Sequence, residues 1–104
     1  MYRGTTPTYI FTAPEGLDLT AANDILVTFS DVKENVIFTK SGEDLEVTET
    51  QISVYLTQEE TLKFPNGRVL VQINWTYDED NTTKRACSEK MIITARKNLV
   101  DEVI

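Results

Sequence analysis

The stretch Gly67-Arg68-Val69-Leu70-Val71-Gln72-Ile73-Asn74-Trp75-Thr76-Tyr77 decides the fold class. Every second position carries a large apolar or aromatic residue, namely Val69, Val71, Ile73, Trp75 and Tyr77. Successive side chains of a β-strand point to opposite faces, so these residues share one face and a mainly polar set shares the other. The turn formers Pro65, Asn66 and Gly67 mark where the strand begins. The pattern predicts a long central strand over 67–77, with Trp75 in the core.

Six further segments show strand patterns between turn signals. They are residues 8–13, 23–31, 36–40, 45–47, 52–56 and 85–95. Residues 23–31 and 36–40 are predicted to form a hairpin, and Pro7 favours an edge position for the first strand. The inward face of 85–95 stays open: Met91 and Ile93, or Ile92 and Thr94, face the core, because a one-residue slip exchanges the faces.

One segment changes period. Thr57 followed by Glu60 matches a capping box, which predicts a short helical turn near residues 58–63 that brings Leu62 and Phe64 onto the core. About seven short strands without a long helical period predict an all-β fold. The expected architecture is an antiparallel immunoglobulin-like β-sandwich over residues 7–97, with the helical turn bridging its two sheets. Residues 1–6 are predicted to be a flexible N-terminal arm, and 98–104 a C-terminal tail.

Composition excludes several kinds of function. The net charge of −7 repels nucleic-acid phosphate and anionic lipid, so neither nucleic acid nor membrane is expected as a partner. The chain has no histidine and a single cysteine, Cys87, which removes the commonest general base and any intramolecular disulfide. We therefore expect a non-enzymatic protein without a cofactor. The first residues lack the apolar stretch of a secretory signal, so synthesis and retention in the cytoplasm are expected.

Acidic and aromatic residues are the candidate ligand-binding residues of this chain. Asp78 and Asp80 belong to an acidic loop with oxygen ligands of the kind calcium prefers, but the spacing fits no EF-hand, which favours a solvated hairpin turn. Trp75 shares the apolar face of its strand, so the core is favoured over a sugar platform. Tyr55 lies opposite the Ile52 and Val54 face and is the more plausible exposed aromatic for a glycan.

Three segments, residues 1–8, 56–64 and 99–104, resemble a family of small immunoglobulin-like proteins encoded in phages and prophages of gut Firmicutes. These proteins are similar to sandwich domains of phage baseplates and other virion components. The resemblance implies a non-enzymatic structural protein of the virion, in the tail, baseplate or a neck or head accessory position. It also implies synthesis in the cytoplasm of a bacterial host and assembly with other virion proteins or with further copies of the same chain.

The terminal segments are the predicted contact surface for this assembly, because they carry aromatic and apolar residues that a compact core does not need. The predicted interaction residues are Tyr2, Arg3, Thr5, Tyr55, Leu99, Val100, Val103 and Ile104. Sheet edges offer a second means of association through main-chain hydrogen bonds. Two other functions stay open: a carbohydrate-binding adsorption module that uses Tyr55, and a phage-encoded inhibitor of a host protein.

Overall fold

The computed structural model describes all 104 residues and arranges them in two antiparallel sheets. The small sheet has the order β1-β5-β4, with β1 at Thr8–Thr12, β4 at Leu45–Val47 and β5 at Gln51–Tyr55. The large sheet contains β2 (Ile25–Ser30), β3 (Val36–Ser41), β6 (Gly67–Glu79), β7 (Thr82–Cys87) and β8 (Met91–Ala95). Short 3-10 turns occur at Leu19–Ala21 and Gly42–Asp44. The predicted all-β, antiparallel two-sheet architecture is confirmed.

The strand that contains the opening stretch is central, as predicted. β6 pairs with β2 along one side, from Leu70 to Trp75, and with β7 and β8 along the other. Beyond Thr76, whose backbone still bonds to Asn23 and Asp24, only β7 accompanies it. The β6–β7 hairpin therefore projects beyond the sandwich, which contributes to the elongated dimensions of 52 × 26 × 21 Å.

The predicted last strand, 85–95, is instead two strands, so the chain has eight. β7 and β8 lie end to end beside β6 and are separated by Ser88, Glu89 and Lys90. Ser88 makes the break, because its backbone N–H donates to Ile73 O at 2.8 Å and its Oγ accepts the Ile73 N–H at 3.0 Å. In β8 the open register is resolved: Met91 and Ile93 pack against the core, while Ile92 is exposed.

The core lies between the two sheets. It contains Val27 and Phe29 of β2, Val69, Val71 and Ile73 of β6, and Ile52 and Val54 of β5. Phe29, Phe38 and Phe64 add an aromatic cluster with centroid separations of 4.9 to 5.7 Å. Offset and tilted rings at such separations pack favourably beyond the area they bury.

The predicted bridging helix is present as α1 (Gln58–Leu62), between β5 and β6. The Thr57 and Glu60 capping box forms in full, and Phe64 is buried as expected. The prediction for Leu62 is wrong: it is only half-buried, and Thr61 is the buried residue of the helix. Glu60 also binds Lys40 of β3, with Nζ at 2.8 and 2.7 Å from its two carboxylate oxygens. Lys40 is itself buried, so this ion pair ties the helix to the large sheet. This α-helix has five residues, and no helix of the chain is long and apolar enough to cross a membrane.

Candidate functional site

The N-terminal arm, residues 1–6, is bound to the domain rather than extended from it. Tyr2 forms a parallel bridge with Arg96: the Arg3 N–H donates to Arg96 O at 2.9 Å, and the Arg96 N–H donates to Met1 O at 2.8 Å. The Arg3 guanidinium donates to Leu62 O at 2.6 Å and to Asp101 Oδ1 at 2.9 Å. The flexible arm predicted from the sequence is thus corrected, because these hydrogen bonds fix its backbone.

The Thr61 side chain of α1 binds the backbone of the N-terminal arm, a contact that the sequence pattern did not predict. Its side chain is fully buried, and its Oγ1 donates to Thr5 O at 2.8 Å while accepting the Gly4 N–H at 2.9 Å. Gly4 has a φ of +82°, and a Cβ there would come within 3.3 Å of Leu62 Cδ2. A larger residue is therefore strained where the arm crosses α1, which favours glycine. Threonine in a short helix does not by itself indicate a contact with a distant segment, so this contact is seen only in the folded structure.

The C-terminal tail, residues 98–104, lies over the arm and α1. Asn98 Nδ2 donates to Arg3 O at 3.1 Å, and Gln58 pairs with the Ile104 backbone at 2.9 and 3.0 Å. The apolar side chains of this region nevertheless face solvent: Leu99 is 99% exposed and Ile104 89%. We name the set Tyr2, Leu99, Val100, Val103 and Ile104 the terminal surface. Of the other predicted interaction residues, Arg3 and Thr5 are engaged within the chain.

A cleft of about 570 Å³ opens between the two sheets at the β1 edge. Its walls are mainly apolar: Phe11 of β1, Ile52 of β5, Ile73 and Trp75 of β6, and Met91 of β8. Binding clefts for ligands typically enclose roughly 300–1,000 Å³ with largely apolar walls and few polar groups. Trp75, predicted to be in the core, is only half-buried and packs against it from this cleft. The strands of the small sheet are too short to cover the Trp75 side chain.

The polar side of the cleft is the break between β7 and β8, which contributes Cys87, Ser88 and Glu89. Glu89 is exposed, forms no ion pair, and is the one charged residue among those that line the cleft. Cys87 is also exposed. Its sequence neighbours Lys84 and Arg85 bind the side chains of Glu79 and Asn74.

Tyr55 is exposed on the outer face of the small sheet, as expected. Its hydroxyl donates to Glu46 Oε2 at 2.7 Å. This hydrogen bond, followed by the negative charge of the Glu46 carboxylate, raises the pKa of Tyr55 above its ordinary value. The pair gives one aromatic ring beside one carboxylate, without a second aromatic on the neighbouring exposed positions of β1, which are Thr8, Ile10 and Thr12.

The acidic loop is a tight hairpin turn. Asp80 and Asn81 have φ of 52° and 61°, the left-handed values that a two-residue turn needs at both positions. Asp78 accepts a hydrogen bond from Thr83 Oγ1, and Glu79 pairs with Lys84 at 3.2 Å. No group of three or more cysteine, aspartate or glutamate side chains is placed so that it could hold a metal ion.

Comparison with family models, with curated proteins and with solved structures finds no match for this chain. Three features therefore stand as candidate sites on geometry alone: the terminal surface, the cleft beside Trp75, and Tyr55 with Glu46 on the outer face of the small sheet.

Proposed function

We propose that this chain is a non-enzymatic assembly protein, and that it serves as a structural component of a phage virion, in the tail, baseplate or a neck or head accessory position. The exposed apolar residues of the terminal surface support the first part of this proposal, the assembly role. The second part rests only on the resemblance of residues 1–8, 56–64 and 99–104 to small phage and prophage proteins, for which the comparisons give no match. The partners are other virion proteins and further copies of this chain, and the protein is made in the cytoplasm of the bacterial host.

The key observation is that the tail has an ordered backbone and exposed apolar side chains. The Ile104 backbone exchanges two hydrogen bonds with the Gln58 side chain, and the Val100 N–H donates to Asn98 Oδ1, yet Leu99 and Ile104 remain almost fully in solvent. Exposed apolar patches on a protein surface mark contact sites with other proteins, and a backbone that is already fixed loses less entropy on association. The terminal surface is thus suited to bury its side chains against a partner.

Light scattering tests the association directly. The wild-type chain is expected to give a mass that is a multiple of 11.8 kDa, and a Leu99→Ser, Val103→Ser, Ile104→Ser variant is expected to be monomeric. The control is Val32→Ser with Val36→Ser, because these two valines are 58% and 63% exposed on the β2–β3 hairpin and do not belong to the terminal surface. A wild-type chain that is monomeric at every concentration, or an oligomer that survives the tail variant, would contradict the proposal.

The virion assignment has a separate test. Mass spectrometry of particles released by the producing bacterium should find this chain in a fixed ratio to the other structural proteins. Recovery of the chain from the cell lysate and none from purified particles would reject that assignment.

A carbohydrate-binding adsorption module is the second candidate, supported by the exposed Tyr55 ring beside Glu46. An aromatic face with an adjacent hydrogen-bonding carboxylate is a common way to hold a sugar ring. A glycan array would show binding that Tyr55→Ala abolishes and Tyr55→Phe weakens. An array without signal for the wild-type protein removes this candidate.

A further inference from the structure

The cleft beside Trp75 lies next to an unpaired strand edge. Ala13 N donates to Thr50 O at 2.7 Å, and Leu56 N donates to Pro7 O at 3.1 Å. Odd-numbered residues of this segment therefore direct their backbone groups toward β5. Because these directions alternate along an antiparallel strand, the N–H and C=O groups of Thr8, Ile10 and Thr12 point away from β5. Ile10 and Thr12 also line the cleft, so its rim carries a row of free main-chain donors and acceptors.

The charge at this site selects its partner. Glu89 is the one charged residue of the lining, it has no ion-pair partner, and the chain as a whole has a net charge of −7. An apolar segment with a nearby lysine or arginine gains a complementary charge at Glu89, whereas an acidic segment is repelled. The tail of a second copy is such an acidic segment, because residues 98–104 carry Asp101 and Glu102 and no basic residue.

We propose that the β1 edge and the cleft together bind an extended apolar and basic peptide segment of a partner protein. The segment adds to β1 as a further strand through the backbone groups of Ile10 and Thr12. One of its apolar side chains enters the cleft between Phe11, Trp75 and Met91, and a basic side chain lies against Glu89. This is the β-augmentation mode, in which main-chain hydrogen bonds give affinity and a side-chain pocket gives specificity. The inference rests on the proposed assembly function and names the chemistry of one partner.

The test is a selection from a displayed library of short peptides that are random at every position. Enriched peptides are expected to share large apolar residues at alternate positions and at least one lysine or arginine. A synthetic copy of the best peptide should protect the Ile10 and Thr12 amides from hydrogen exchange. A library that yields no such pattern, or bound peptides that leave these two amides unprotected, would overturn the proposal.

Two variants at the site and one control variant of the full chain test which groups bind the peptide. Glu89→Lys should weaken the selected peptide about tenfold, as expected for reversal of one charge contact. Glu43→Lys is the matched control, because Glu43 is exposed, unpaired and away from the cleft, and it should leave the affinity unchanged. Thr12→Pro removes one outward N–H without removing a bond to β5, and it should also cost about tenfold.

Circular dichroism confirms that each variant is folded. Equal binding by Glu89→Lys and Glu43→Lys, or full affinity in Thr12→Pro, would contradict this site. Tighter binding of a peptide copied from residues 98–104 than of the selected peptide would identify a second copy as the occupant and reject a basic partner. The light-scattering result for the tail variant is independent of these outcomes, so failure here leaves the assembly proposal standing.

Discussion

The two halves of β6 have the same sequence pattern and different surroundings. In the lower half, Val69 and Val71 are completely buried and Ile73 is 6% exposed, in one core cluster with Ile52 and Val54 of the small sheet. In the upper half, Trp75 and Tyr77 continue the alternation but are only half-buried. The difference shows that a period of two identifies the face of a strand, while the length of the opposite sheet decides how much of that face is covered. β1 and β5 have five residues each, and β6 has thirteen.

Removing the aromatic support of the lower half should have the largest effect. Phe29 pairs directly with Val71 and contacts the rings of Phe38 and Phe64. Phe29→Ala is expected to cost about 3–5 kcal/mol of unfolding free energy, much of the stability of a domain of this size. Urea denaturation measures it. Val36→Ala on the exposed face of β3 is the control, with an expected change within about 0.5 kcal/mol.

A matched pair on β6 compares the halves directly. Val71→Ala should cost about 2 kcal/mol, because a fully buried side chain loses contacts and leaves a cavity. Tyr77→Ala removes a larger side chain but should cost less than about 1 kcal/mol, since this residue lies on the projecting hairpin. Equal losses in urea denaturation would show that the upper half is packed as well as the lower one.

The Lys40–Glu60 pair ties α1 to the large sheet and gives a pH-dependent contribution. Partial burial opposes ionisation of Glu60, but the hydrogen bonds from Lys40 and from the Thr57 backbone outweigh it and lower the pKa of this carboxyl below its ordinary value. The ionised form is therefore favoured by folding. Its contribution is complete above the ordinary pKa of about 4.3 and is lost as the pH falls through the lowered value.

Lys40→Met should cost about 1–3 kcal/mol at pH 7, because it leaves the Glu60 carboxylate without its cation. The difference in unfolding free energy between wild type and variant should shrink as the pH falls from 5 toward 2. Asp18 and Asp31, whose pKa values are also lowered, by hydrogen bonds from Thr20 and Asn35, are unchanged in the variant and cancel in the difference. A difference that stays constant over this range would reject the contribution of the ion pair.

The smallest expected effect is at the tip of the upper half. Asn81 has a left-handed φ of 61°, which glycine adopts without steric cost. Asn81→Gly should raise the unfolding free energy by about 0.5 kcal/mol, and Asn81→Val should lower it by about 1 kcal/mol. Thermal denaturation of the two variants gives the order. A valine variant at least as stable as wild type would mean that the turn has another conformation.

Local patterns predicted the local elements. The alternation of residues 69–77 and the Thr57–Glu60 capping box each act within a few positions, so the central strand and the bridging helix could be located from the sequence. The break at Ser88 could not, because residues 82–95 contain no glycine or proline and the break depends on a bond between Ser88 and Ile73. The bound arm depends on Arg3 and Asp101, which are 98 positions apart.

Some features of the candidate sites could likewise be predicted from local sequence, and others depend on contacts between distant segments. The exposure of Tyr55 and the apolar character of the tail follow from their own residues, and both were predicted. The cleft depends on where β1 ends relative to Trp75, which is a property of two sheets packed together and has no local signal.

Fluorescence quenching of Trp75, the one tryptophan of the chain, tests the central claim that the small sheet leaves this side chain in an open, negatively charged cleft. Each quenching constant is divided by that of the same ion for N-acetyltryptophanamide at equal ionic strength; the normalised value should be higher for caesium than for iodide, because Glu89 and the net charge attract cations, and Glu89→Lys should reduce the difference. Emission that neither ion quenches would place Trp75 in a closed core, and a higher normalised quenching constant for iodide than for caesium would contradict the charge of the cleft.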